Sequence, residues 1–114
     1  AMVSEREWPT YSLEEVRKHW RKDDAWIVVN DRVYDMTHHV QQHEGWHQGG
    51  KQSTLITILS AMGTDCTDDF LEVHSAKAMM MLRAFQIGVL DKPNTGCKRV
   101  TFRTFEELEA MGAV

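Results

Sequence analysis

The sequence predicts an α+β domain, several short helices gathered around a small sheet. Three observations carry that prediction. Trp26-Ile27-Val28-Val29 and Val33-Tyr34-Asp35-Met36 are β-branched or aromatic runs on either side of Asn30-Asp31-Arg32, which reads as a hairpin. Ser12 with Glu15, and Thr104 with Glu107, are capping-box pairs that open helices near the two ends. Between them, Leu55, Ile58, Leu59 and Met62 recur at helical spacing, and there are no repeats or low-complexity stretches.

Taken in order, the first helix starts at Ser12 and places Leu13, Val16 and Trp20 on one face. Arg21-Lys22-Asp23-Asp24 is polar and reads as a turn into the hairpin. Thr37 caps a helix running to about Gln42, and Gly45, Gly49 and Gly50 interrupt the chain beyond it. Thr54–Met62 has strand-like composition, but its period favours a helix. Gly63-Thr64-Asp65 is a turn, and Thr67-Asp68-Asp69-Phe70 opens a helix with acids in its first turn. A further helix spans about Ala76 to Ala84, with Met79, Leu82 and Met80 or Phe85 inward, and Gly88 closes it before Val89-Leu90. Val100-Thr101-Phe102 reads as a strand ahead of a last short helix from Thr104.

With 114 residues the chain is one domain, since single domains usually run roughly 100–200 residues. Its 13 Lys+Arg against 17 Asp+Glu leave a net charge of −4, which argues against a nucleic-acid binder needing a basic stripe. Cys66 and Cys97 are too few for a disulfide framework, and a reducing, cytoplasmic setting is the simpler expectation. No run approaches the ~20 apolar residues that span a bilayer, and no signal peptide opens the chain. Ala1-Met2 reads as a cloning-site remnant within an N-terminal extension of residues 1–10.

Six histidines stand out, four of them within residues 38–47. His39, His43 and His47 lie one helical turn apart, a spacing that suits zinc, although Gly45 argues against unbroken helix and no Cys or Glu stands at an obvious fourth position. A second arrangement pairs one of the cluster with His74, between two helices and among Val29, Met36, Val40, Leu55, Ile58, Phe70, Val73, Met81, Leu82 and Phe85. Two imidazoles across an apolar slot suit a flat iron-centred cofactor. The same apolar set also serves as a plain core, and the residues alone leave both open. For His19, His38 and His39 the plain expectation is surface.

The order of the blocks separates these readings. From Tyr11 to Leu90 the chain resembles a cytochrome b5 haem-binding domain. The resemblance rests on Trp26–Val29, Val33–Thr37, Gly63–Phe70, Val73-His74-Ser75 and Phe85–Leu90. Gly63–Thr67 and His74-Ser75-Ala76-Lys77-Ala78 are most similar to the cytochrome b5 domain of eukaryotic nitrate reductases. Residues 91–114 have no counterpart in that pattern and read as an extension or linker.

The resemblance implies a small mixed sheet with two helix pairs enclosing a haem pocket. It implies non-covalent haem b between two histidines and one-electron transfer, because iron with both axial positions filled has no open site. His74 is the second ligand. The family's first ligand stands in His-Pro-Gly-Gly, which this chain lacks. His47-Gln48-Gly49-Gly50 keeps both glycines, whereas His43 keeps the register from Thr37 without a gap, and register favours His43. Each ligand is expected to donate its other ring N–H to a backbone carbonyl. Val29, Met36, Val40, Phe70, Val73, Met81, Leu82 and Phe85 would line the haem, Ser75 would meet a propionate, and His39 falls where the family has a pocket aromatic.

Asp65, Asp68, Asp69 and Glu72 near His74, and Glu44 near His43, would steer a basic partner: a flavin-type reductase or a redox acceptor protein. Within the same resemblance, the competing function is a b5-like module that binds steroid, other lipid or haem for regulation rather than electron transfer.

Overall fold

The computed structural model describes residues 7–41 and 52–112. The two apolar runs form the expected hairpin. Strand β3 (Asp24–Val29) lies antiparallel to β4 (Arg32–Asp35), with Ile27 opposite Tyr34 and Val28 opposite Val33. Asn30 and Asp31 both take positive φ, 53° and 61°, the type I′ geometry whose twist matches that of the strands it joins. The hairpin strand starts earlier than its apolar run because it also pairs backward, across the Lys22-Asp23 turn, with β2 (Trp20–Arg21). With β1 (Thr10–Tyr11) and β5 (Gln86–Leu90) the sheet has the order β1-β5-β4-β3-β2, and β1–β5 is its parallel pair.

Gly88 does not close a helix. It sits inside β5 opposite Val33. A Cβ there would fall against the Pro9 carbonyl oxygen and 2.6 Å from Tyr11 Cε2. The glycine therefore serves the close approach of β1 and its flank, not a helix terminus.

Alternation along the strands divides the interior in two. Ala25, Ile27, Val29 and Tyr34 face one cluster with Met36, Val40, Met62, Cys66 and Leu82. Val28 and Val33 face the other, with Val16 and Leu90. Both faces of β3 are covered, which is why its apolar run does not alternate with polar residues.

Helix α1 (Leu13–Arg17) covers the second face through Val16. Ser12 Oγ accepts from Glu15 N–H at 3.0 Å, as the capping box requires. The helix stops at Arg17, so Trp20 lies on β2 and not on the helical face. His19, expected at the surface, is instead half-buried. Its Nδ1 lies 2.6 Å from Asp24 Oδ1, its Nε2 lies 2.8 Å from Glu15 Oε2, and its ring stacks 3.5 Å from that of Trp26.

The other face is covered by α2 (Thr37–Gln41), α3 (Gln52–Ala61), α4 (Thr67–Val73) and α5 (Ala76–Leu82), which bring Val40, Ile58, Phe70 and Leu82 to the cluster. Thr37 begins α2 and its hydroxyl ties that start to the sheet, accepting from Ala25 N–H at 2.9 Å and donating to Asp35 Oδ1 at 2.7 Å. The helix expected to reach Ala84 tightens into a 3₁₀ turn over Arg83–Phe85, and Met80 points outward.

Val100–Phe102 is not a strand. Its neighbouring backbone donors go to side chains: Val100 N–H to Asp69 Oδ2, and Arg103 N–H to Ser60 Oγ at 3.2 Å. A carboxylate and a hydroxyl stand where strand pairing would need a backbone. Helix α6 (Phe105–Ala110) comes next, capped by Thr104 Oγ1 on Glu107 N–H at 3.1 Å, and its Leu108 packs against Leu59 of α3. No helix among the described residues is long and apolar enough to cross a membrane.

Burial of the His19 ring opposes its protonation, but the hydrogen bonds and charges of Asp24 and Glu15 outweigh that and raise its pKa above the ordinary value. The folded chain thus holds this proton more tightly than the unfolded chain. The stabilisation is complete below pH ~6.5 and is lost as pH rises through the folded value. Urea denaturation between pH ~6 and ~8 is expected to show stability falling with pH, and His19→Gln is expected to flatten that slope.

Candidate functional site

The site is built on one junction between β3 and the turn after α3. Val28 N–H donates to Thr64 O at 2.9 Å and Cys66 N–H donates to Val28 O at 3.0 Å, locking residues 64–66 alongside the strand. Gly63 makes the turn possible at φ +76°. The Asp65 carboxylate, only 5% exposed, is held from both sides. Oδ1 accepts from Thr67 N–H at 3.1 Å and Thr67 Oγ1 at 2.5 Å, and Oδ2 accepts from Asn94 Nδ2 at 2.8 Å.

From this anchor α4 runs toward the cavity and ends where His74 turns out of the helix at φ −111°, ψ 141°. The ring stacks on Phe70, centroids 3.9 Å apart and 8° from parallel, and Nδ1 lies 3.0 Å from Phe70 O. A carbonyl oxygen can only accept, so Nδ1 carries a proton, and in the neutral ring the lone pair is on Nε2. This is the carbonyl partner expected for a ligating imidazole.

His74 lines a cavity of about 170 Å³ whose apolar wall includes Ile27, Met36, Val40, Ile58, Met62 and Phe70. Of the pocket residues expected from the sequence, Met36, Val40, Phe70 and His74 therefore meet at one cavity. Val29, Leu82 and Phe85 belong to the same apolar cluster behind it. His39 also lines the cavity, its ring 5.7 Å from Phe85. Met81 is 63% exposed and turned away from the cluster. Val73 is the last residue of α4. Ser75 is exposed and caps α5, its Oγ accepting from Ala78 N–H at 3.3 Å. His43, its alternative His47, and Glu44 lie outside the described residues.

The acids separate by environment. Asp65 is sealed into the junction, so it belongs to the fold and not to a docking surface. Asp69 turns one oxygen to Val100 N–H beside the cavity. Asp68 and Glu72 are exposed. No three His, Cys, Asp or Glu side chains come together for a metal ion among the described residues, and two members of the zinc arrangement, His43 and His47, lie outside them.

Among the wall residues that the sequence does not mark as pocket residues are Cys66, Val100 and Phe102. Cys66 precedes a helix and carries no apolar period that points inward. For Val100 and Phe102 the signal is present as alternation around Thr101, but alternation does not say which surface the chain will cross.

Comparison with known proteins agrees with this geometry. Residues 12–91 match the family model described as the cytochrome b5-like heme/steroid binding domain. The chain is a member of that family. It is 46% identical over 81 residues to nitrate reductase [NADH] 1 of Phaseolus vulgaris, a stretch covering 71% of this chain and 8% of that enzyme. Among solved structures, Ectothiorhodospira vacuolata cytochrome b558, a prokaryotic homologue of cytochrome b5, superposes with a TM-score of 0.58 at 27% identity, covering 73% of this chain and 99% of that one. Cytochrome b5 of Ostreococcus tauri virus 2 gives 0.55 at 29% identity, covering 71% and 95%. The cofactor of this class is haem b, held without covalent attachment. The wall fits such a group: an apolar face, and an imidazole whose unprotonated nitrogen is set by its own helix.

Burial first, then the charges of Asp65 and Asp69, push the Cys66 thiol up to about 12, whereas Cys97 is exposed. Because the thiolate is the reactive form, a thiol reagent at pH ~8 is expected to label Cys97 promptly in the native protein and Cys66 only after denaturation. Prompt labelling of both would contradict this burial.

Proposed function

We propose that the chain is a one-electron carrier whose haem b is held between His74 and a histidine of the segment 42–51, His43 by register with His47 as the alternative. The single observation that carries this reading is the fixed tautomer of His74 at an apolar wall. Phe70 supplies both the carbonyl that holds Nδ1–H and the ring that stacks on the imidazole. Bound haem would supply a one-electron iron couple, and His74 with that second histidine would be the residues that hold it.

The chain's own residues then have separate tasks. Met36, Val40 and Phe70 exclude water from one face, and Val29, Leu82 and Phe85 back them. Ser75 Oγ accepts from Ala78 N–H and keeps its own O–H to donate to a haem propionate. Residues 11–90 form the cofactor-binding unit and 91–114 an extension, whose Lys98, Val100 and Leu108 contact that unit. The relatives include an enzyme of which the matched stretch spans only 8%, so service as a module of a larger oxidoreductase belongs to the same proposal. A flavin-type reductase and a redox acceptor would dock near exposed Asp68 and Glu72.

The second reading, binding of a steroid or other lipid, is favoured by the apolar cavity wall and by the breadth of the family. Optical spectra separate the two. The haem-loaded chain is expected to be red and six-coordinate, with a Soret band that shifts and α/β bands that sharpen on reduction. His74→Ala should abolish that coordination, and of His43→Ala and His47→Ala only the ligand variant should do so. A colourless chain that takes up no haemin, or coordination indifferent to His74, refutes the carrier model.

Docking steered by acids is screened by salt. The second-order rate of reduction by a reductase is expected to fall about tenfold or more as ionic strength rises from ~0.01 to ~1 M, while the Debye length contracts from about 30 to about 3 Å. A rate indifferent to salt removes Asp68 and Glu72 from the docking surface.

A further inference from the structure

On the far side of the C-terminal segment from the apolar cavity lies a second cavity, of about 430 Å³, and its wall is cationic. Arg17 reaches it from the end of α1, and Arg99 and Arg103 from the extended chain before α6. Trp20, Thr64 and Thr101 complete much of the remainder. The segment reads with a period of two. Cys97, Arg99, Thr101 and Arg103 line this cavity, while Val100 and Phe102 line the one containing His74. Alternate side chains of an extended chain point to opposite sides, so one strip of backbone separates an apolar pocket from a basic one.

Two observations single this pocket out. Arg103 Nη1 is buried and has no hydrogen-bond partner among the described residues. A guanidinium has five donors, no acceptor and no accessible neutral form. A buried, unsatisfied donor on a charged group is costly, and native structures rarely leave one so. The other observation is charge. Of the side chains lining the cavity, three are guanidinium cations and one is a carboxylate, Asp65, whose oxygens are already taken by Thr67 and Asn94. Arg99 has only a loose contact with Asp68, 3.8 Å at an exposed position. Counted over its lining side chains the cavity carries a net charge of +2, with Asp68 outside the lining 3.8 Å from Arg99, and it offers donors in excess of acceptors.

We infer that this cavity is a binding site for a small phosphate-class dianion. A tetrahedral dianion matches the excess charge, and its several oxygens can accept from guanidiniums arriving from different segments at once. The site uses α1 and the C-terminal segment, and stands apart from the pocket assigned to haem.

The test is a titration of the full chain, haem-loaded, with inorganic phosphate at constant ionic strength maintained with sodium chloride. Calorimetry measures binding and the urea midpoint measures linkage. Saturable binding is expected, accompanied by a rise in the urea midpoint that chloride does not reproduce. Arg103→Gln is expected to weaken phosphate about tenfold or more, and Arg103→Lys to recover only part, since it restores the charge without the fork. Arg17→Gln, at an exposed end of α1, reads the same site if Arg103→Gln does not fold. Absence of saturable binding, an equal effect of chloride, or binding unaltered in the arginine variants would each overturn the inference.

Discussion

The buried carboxylate of Asp65 is the interaction on which the remainder depends. A carboxylate removed from water needs hydrogen-bond donors around it, and here three donors come from two places in the chain. The Thr67 backbone and hydroxyl fix the first turn of α4, and the Asn94 amide fixes the segment after β5. The residue itself is held by the pairing of residues 64–66 with Val28. Strand, helix start and C-terminal segment are thereby joined at one side chain. The direction of α4, and so the position of His74 at its end, is set by that junction.

From there the path to function is short. α4 brings Phe70 and His74 to the cavity one turn apart, and this i, i+4 relation lets a backbone carbonyl choose the tautomer of the imidazole. The opposite wall comes from α2 and from the face of β3 that carries Ala25, Ile27 and Val29. Membership in the cytochrome b5-like family and a cavity assembled this way support each other, because the family match spans residues 12–91 and the carbonyl that orients the His74 ring, that of Phe70, lies inside that span.

The residues past that boundary are integrated into the domain and not merely attached to it. Asp68 N–H donates to Lys98 O at 3.1 Å, Asp69 accepts from Val100 N–H, and Leu108 meets Leu59. These contacts place an extended chain in the wall of the apolar pocket with a guanidinium-lined cavity at its back. The same backbone strip can therefore influence both pockets.

Much of this is legible in the residues alone. The two β-branched runs around Asn30-Asp31, the caps at Ser12 and Thr104, the helical period from Leu55 to Met62 and the ordered blocks around His74 act through neighbours within a few positions, where local sterics and hydrogen bonding decide the outcome. The sites Met36, Val40, Phe70 and His74 are legible for the same reason, since periodicity marks an apolar face and the family pattern marks the histidine. Inferences needing a distant partner fail. Gly88 reads as a helix stop until Tyr11 and Pro9 are seen beside it, His19 as a surface residue until Trp26 and two carboxylates enclose it, and Asp65 as a docking acid until Asn94 arrives from 29 positions away. Local sequence determined which elements form and which imidazole stands at the wall. Only the tertiary structure decided which charges are buried and which chain covers the pocket, because both depend on contacts between segments that share no local signal.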